Sequence, residues 1–136
     1  MKRGTRYILA FAGCDPVPLS RPRFDSRSRR TYTNARSEKG ARAQAALLAP
    51  HTPREPLAGP LAVGLSYVLP LPKRGRAPGP HHVTPDVDNL SKLTLDVLSR
   101  LRWWNDDAQV AELHATKRWG ANGENPGVVV EVWSLA

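Results

Sequence analysis

The chain has 136 residues, 40% of them hydrophobic, which suits one small domain with a single core. Its 20 Lys and Arg against 12 Asp and Glu give a formal charge of +8 and point to an acidic partner, either nucleic acid or an anionic membrane surface. The one cysteine, Cys14, excludes an intrachain disulfide framework and a cysteine zinc site, and no apolar run is long enough to span a membrane.

The start, "MKRGTRYILAFAGC", has the basic head and apolar run of a short signal. However, its apolar part, Tyr7 to Ala12, falls short of the roughly 7–15 residues a signal core needs. It reads as a buried first strand, and the expected compartment is the cytoplasm. "GCDPVPLSRPRFDSRSRRTYT" follows as a loop rich in Pro, Ser and Arg. Asn34 to Leu48 reads as an Ala-rich helix, with Asn34 as N-cap and Pro50 as its stop. Leu61 to Leu69 alternates as a strand, with Leu61, Val63, Leu65, Tyr67 and Leu69 on one face.

A second basic loop, "PLPKRGRAPGPHHVTP", leads to the clearest helix, Asp88 to Leu101, whose Leu90, Leu93, Val97, Leu98 and Leu101 form one stripe. Ala108 to Trp119 reads as a strand with Ala111, Leu113 and Ala115 alternating against Glu112, His114 and Thr116. Gly127 to Trp133, "GVVVEVW", is the last strand. The order β-α-β-α-β-β, with a hairpin expected between the last two strands, gives an α+β fold with a mixed sheet and two helices in a single domain, 1–136.

In a chain so basic, the placement of the acids is informative. "TPDVDNLSK" puts Asp86 and Asp88 one residue apart just before a helix, and "WWNDDAQV" adds Asp106 and Asp107. A phosphate-seeking protein places carboxylates where it needs a hard cation such as Mg²⁺, which takes oxygen ligands and keeps several waters. In an extended segment Asp86 and Asp88 point to the same side and can grip one ion. Lys92, four residues on, stacks over Asp88 and can neutralise charge that develops on a phosphate. A plainer reading makes an Asp before a helix an N-cap, Asp88–Lys92 an ordinary helix ion pair, and "NDDAQV" a turn before a strand.

Together, "PDVDNLSKLTLDVL", an aromatic pair and "NDDAQV" closely resemble the core of the RusA family of Holliday-junction resolvases, with looser similarity in "PVPLSRPRF" and "TYTNAR". The resemblance implies a homodimeric, Mg²⁺-dependent endonuclease, with Mn²⁺ as a substitute ion, that nicks four-way DNA junctions symmetrically. It implies catalytic, metal-holding roles for Asp86, Asp88 and Asp107, a catalytic Lys92 and a supporting Asp106. The chain departs from the family in the loop before Asp86, where "HHVT" separates Lys73, Arg74 and Arg76 from the acids.

Arg21, Arg23, Lys73, Arg74 and Arg76 in the two basic loops are the expected DNA contacts. His81 and His82 are read as phosphate contacts or loop surface, and His114 as structural. Trp103 and Trp104 are expected to close a core or an interface, and Asp96 to continue an ion-pair ladder from Lys92. A helix of about fourteen residues separates its ends by roughly 20 Å. A site within one chain therefore needs "RWWNDD" to run straight back along the helix, pinned by the tryptophans on the Leu stripe. That is the favoured expectation; the alternative is that the acids meet across a homodimer. The competing function is a non-catalytic nucleic-acid-binding protein whose acids are caps and turns, and less so a metal nuclease acting on RNA.

Overall fold

Alternating and continuous apolar runs form the strands, and the 3.6-residue periodicity of the Leu stripe forms the second helix. In the computed structural model, residues 3–19, 23–25, 30–32, 35–72 and 79–135 are described. The elements are β1 (Arg3–Ala12), β2 (Arg23–Asp25), β3 (Arg30–Tyr32), α1 (Ala35–Leu48), β4 (Leu61–Leu69), β5 (Gly79–Pro80), α2 (Val87–Arg100), β6 (Val110–Trp119) and β7 (Gly127–Leu135). Asn34, the expected cap of α1, lies outside the described residues. Beyond α1 the chain tightens into a short 3₁₀ turn, Ala49–His51, that contains Pro50.

The main sheet is five-stranded and mixed, in the order β1-β7-β4-β6-β5. β7 runs antiparallel to both of its neighbours, β1 and β4, whereas β4 and β6 are parallel. Parallel neighbours need a crossover connection, and α2 supplies it. The hairpin expected between the last two strands is therefore not formed: β4 lies between β6 and β7. The strand expected from Ala108 begins only at Val110, because Asp107–Gln109 form a 3₁₀ turn.

The register places Val63, Leu65 and Tyr67 beside Val132, Val130 and Val128, and these in turn beside Ile8, Ala10 and Ala12. Buried Leu90, Leu93, Val97 and Leu98 of α2 join these residues in one core. Each such side chain stabilises the fold by about 1.5–3 kcal/mol on burial. Tyr67 fixes α2 over the sheet: its hydroxyl lies 2.9 Å from the Leu90 carbonyl oxygen and 2.7 Å from Thr94 Oγ1. Thr94 in turn donates to Gln44 of α1. Burial raises the Tyr67 pKa, so the phenol stays protonated.

The segment before the first basic loop is held against both helices. Ser37 Oγ donates to the Pro18 carbonyl (2.8 Å), and the Leu19 N–H donates to the Asn89 carbonyl (3.0 Å). Gly40 of α1 makes this approach possible, since a Cβ there would come within 1.8 Å of Val17 Cγ2.

Candidate active site

Residues at the start of α2 are extended, then helical. Asp86 occupies the N-cap position with φ −71° and ψ 141°, yet its side chain makes no capping hydrogen bond. Its backbone carbonyl accepts from the Leu90 N–H, the first bond of the helix. Asp88 lies in the first turn, where the helix dipole favours negative charge. Both carboxylates are exposed, as is Lys92. Among the described residues, no side-chain hydrogen bond or ion pair engages Asp86, Asp88 or Lys92. The plainer reading of this stretch therefore fails on both counts: the cap is not made by the side chain, and the helix ion pair is not closed. Asp96, expected to continue a ladder from Lys92, pairs instead with Arg100 at 2.8 Å.

The loop that presents Asp86 is held by a residue the sequence does not flag. Lys117 of β6 extends its ammonium to the carbonyls of Val83 (2.5 Å) and Pro85 (2.8 Å), the latter adjacent to Asp86. Lys117 stands in register with Tyr67, on the side of the sheet that α2 covers. The available signal is parity: a lysine shares the face of Leu113 and Ala115.

His81 is also misjudged as loop surface. It is only 6% exposed: its ring lies 4.0 Å, centroid to centroid, from that of Trp119, and its backbone N–H donates to the Lys117 carbonyl (3.4 Å). His82 is exposed. A cleft of about 190 Å³ runs beside this loop, lined by Asp15, Arg36, His81, Thr84, Pro85 and Trp119. Nearby Arg118 is held by Glu124 through two bonds of 2.8 and 2.6 Å. The Arg118 guanidinium, helped by the Ala121 N–H, lowers the Glu124 pKa to about 2.

The far end of α2 behaves differently. Arg102 adopts a left-handed conformation, φ 66°, directly after the helix. The N–H groups of Arg102 and Trp103 turn back to the carbonyls of Ser99 and Leu98 (both 3.0 Å). Trp103 and Trp104 are fully buried. Trp103 Nε1 donates to Thr52 Oγ1 (3.1 Å), and its carbonyl accepts from the Leu57 N–H (2.8 Å). Asp106 caps the following 3₁₀ turn by accepting from the Ala108 N–H (2.8 Å). Gln109 completes the cap: its Oε1 accepts from the N–H groups of Asn105 and Asp106, while its Nε2 donates to the Leu57 and Gly59 carbonyls.

Asp107 is oriented by two donors on one oxygen. Its Oδ1 accepts from Ser99 Oγ (2.6 Å) and Trp104 Nε1 (2.8 Å). Ser99 is three turns beyond Asp88 in α2, roughly 16 Å along the axis. The expected straight return of "RWWNDD" along the helix is thus overturned. The left-handed Arg102 reverses the chain, and the tryptophans fasten it to the segment around Thr52 and Leu57 while sharing one core with the Leu stripe. Among the described residues no three His, Cys, Asp or Glu side chains come together as a metal site. The structure brings Asp86 and Asp88 to one end of α2 and places Asp106 and Asp107 at the other.

Of the expected DNA contacts, Arg21, Lys73, Arg74 and Arg76 lie outside the described residues, and Arg23 begins β2. The first basic loop nevertheless starts beside the acids, because Leu19 is tied to Asn89, the neighbour of Asp88.

The domain is strongly basic, α+β in build, and leaves Asp86 and Asp88 exposed. A family model described as endodeoxyribonuclease RusA matches residues 14–133, and the chain belongs to the RusA family. Membership implies endonuclease action on DNA junctions, which in this family is generally dependent on a divalent metal. No curated protein matches the chain. No helix among the described residues is long and apolar enough to cross a membrane.

Proposed function

We propose that the protein is a homodimeric, Mg²⁺-dependent endonuclease that resolves four-way DNA junctions by paired symmetric nicks. The observation that carries this reading is the state of Asp86 and Asp88, adjacent in space to a helix start and unengaged by any side-chain partner among the described residues. Two exposed carboxylates are the donor set a hard cation requires, and Mg²⁺ needs only one or two because it keeps its waters. Asp107, held rigid through Oδ1, is the third carboxylate in this reading. When bound there, the ion supplies Lewis-acid polarisation of the phosphodiester and a more acidic water.

The remaining roles belong to the chain itself. Lys92 lies one turn after Asp88 on the same side of α2, so its ammonium is available to charge that grows on the phosphate. Lys117 positions Asp86 by holding Val83 and Pro85. Asp106 supports Asp107 as the cap of its turn. Arg21, Arg23, Lys73, Arg74 and Arg76 are assigned to DNA phosphates, which position the substrate without reading its bases. The alternative, a binding protein whose acids are only caps, suits Asp106 but leaves Asp86 unexplained.

The test compares nicking of a four-way junction, a duplex and a single strand, with and without Mg²⁺, for wild type and Asp88→Asn. The wild type should nick the junction only with metal. Asp88→Asn should bind the junction but lose at least about a hundredfold in rate, the scale on which one transition-state contact acts. Undiminished nicking by Asp88→Asn would remove Asp88 from the metal site, and a wild type that binds the junction without nicking it would favour the binding-protein reading.

A further inference from the structure

Separate stretches of chain meet at the cleft beside the Asp86 loop, and each is fixed by a bond of its own. Asp15 and Pro16 belong to the segment after β1, which Ser37 Oγ ties down at the Pro18 carbonyl (2.8 Å). Thr84 and Pro85 belong to the loop that Lys117 Nζ holds at the Pro85 carbonyl (2.8 Å). Leu69 and Trp119 end the parallel pair of β4 and β6, and the Gly120 N–H closes that end on the Leu69 carbonyl (2.9 Å). Walls held in this way are formed before any ligand arrives.

Size and chemistry narrow what the cleft can take. Its volume of about 190 Å³ lies below the roughly 300–1,000 Å³ of a site for a drug-sized molecule and suits one small ring system. Floor and sides offer ring surface: the buried His81–Trp119 pair, Pro16, Pro70 and Pro85. Asp15, Arg36 and Thr84 are exposed and supply its polar groups. A phosphate would be repelled by the Asp15 carboxylate. A neutral ring that carries both donors and acceptors satisfies the carboxylate and the guanidinium together. The guanidinium has several N–H donors, so Arg36 can address such a ring while keeping a partner within the protein.

Position supplies the source of that ring. Pro85 lines the cleft and precedes Asp86, so one Cα step of about 3.8 Å separates a wall of the cleft from the segment that carries the proposed metal ligands. A strand whose phosphate sits at Asp86 and Asp88 brings its nearest base to the cleft.

We infer that the cleft receives one nucleobase, unstacked from the strand being cut at a nucleotide next to the scissile phosphate, and that Asp15 and Arg36 read its hydrogen-bonding edge. The inference rests on the nuclease reading for the position of the phosphate. Adenine, cytosine and guanine each present an exocyclic amine to Asp15 and a ring nitrogen or carbonyl acceptor to Arg36. Thymine has no amine, and its ring N–H lies between carbonyl oxygens that the Asp15 carboxylate repels. Leaving the stack costs least where pairing is already interrupted, as at a branch point, and most within uniform duplex. The cleft thus gives a local reason for a junction to be cut in preference to a duplex.

The test measures kcat/KM with Mg²⁺ on four-way junctions that differ only in the base pair at the nucleotides flanking the mapped cut, varied one at a time. At one of these positions the wild type should cut thymine at least about fivefold more slowly than the amine-bearing bases, the scale of one base-reading contact. Asp15→Asn keeps the shape of the side chain and adds a donor for a thymine carbonyl, so it should close most of that gap. Arg36→Ala should lower the amine-bearing bases toward thymine. Both residues are exposed, and a merely structural role would slow all four bases alike. Mispairing an amine-bearing base at the same position lowers the cost of unstacking it, so the wild type should cut the mismatch severalfold faster than the pair. Equal cutting of all four bases, a gap that Asp15→Asn leaves unchanged, or a mismatch cut no faster than its pair would overturn the inference, while the nicking itself upholds the nuclease reading. A wild type that never nicks with metal would sink the nuclease reading and the role of the cleft with it.

Discussion

At the start of α2 the Asp86 and Asp88 carboxylates make no side-chain hydrogen bond among the described residues, although one of them holds the cap position. Just past its end, Asp106 and Asp107 are both engaged, the first on a backbone N–H and the second on a serine and a tryptophan. A fold that needed both pairs for stability would engage both. The difference agrees with the proposed reading, in which the first pair serves a ligand, while the second is built into the turn with one oxygen of Asp107 fixed in direction. The same contrast extends to the cations. Arg100 and Arg118 are taken by Asp96 and Glu124, and among the described residues no side chain pairs with Lys92.

The contrast predicts opposite outcomes for substitutions at the two ends. Trp103→Ala should give the largest loss of stability, about 3–5 kcal/mol, since it empties a fully buried site and removes the donor to Thr52. Asp88→Asn, an exposed position, should stay within about 0.5 kcal/mol of wild type. Urea unfolding measures both. If Asp88→Asn costs as much as Trp103→Ala, the open end of α2 is structural after all and the comparison fails.

Asp106→Ala should be intermediate, costing about 1 kcal/mol for the lost cap. Its effect on nicking should be smaller than that of Asp88→Asn, because Asp106 acts through the turn that carries Asp107. Nicking measured beside unfolding decides it. A variant that keeps full stability and loses nicking as completely as Asp88→Asn would make Asp106 a ligand rather than a cap.

Much of this was legible in the sequence, for physical reasons that differ by element. The stripe from Leu90 to Leu98 and the alternation from Leu61 to Leu69 are local periodicities, and both became core. That Asp86 and Asp88 deserve notice was legible because two carboxylates before a helix in a basic chain are unusual company, and the structure leaves both exposed. The strand order was not. Turn residues in "GANGENP" show that the chain reverses between β6 and β7, but not that it leaves room for β4 between them. That choice is made by long-range pairing of Val128, Val130 and Val132 with Tyr67, Leu65 and Val63. The placement of Asp107 was hidden for a sharper reason: the residue that reverses the chain is an arginine, where a left-handed helix end is normally marked by Gly or Asn.

That arginine supplies the smallest predicted effect and the most direct test of how the closed end is made. Arg102 sits at φ 66°, a conformation that costs an ordinary side chain about 1–2 kcal/mol through its Cβ. Glycine removes that cost but loses more freedom on folding, which offsets about 0.5–1 kcal/mol of the gain. Arg102→Gly also gives up the guanidinium bond to Asn105 Oδ1 (3.1 Å), an exposed contact of little weight. The balance favours the variant by roughly half to one kcal/mol, read as a rise in Tm. The two backbone bonds from Arg102 and Trp103 to Ser99 and Leu98 are unaffected by the change, so Asp107 should keep its place beside Ser99 and nicking should be unaltered. A fall in Tm would show that the Arg102 side chain, rather than the backbone turn, holds this end of α2 closed.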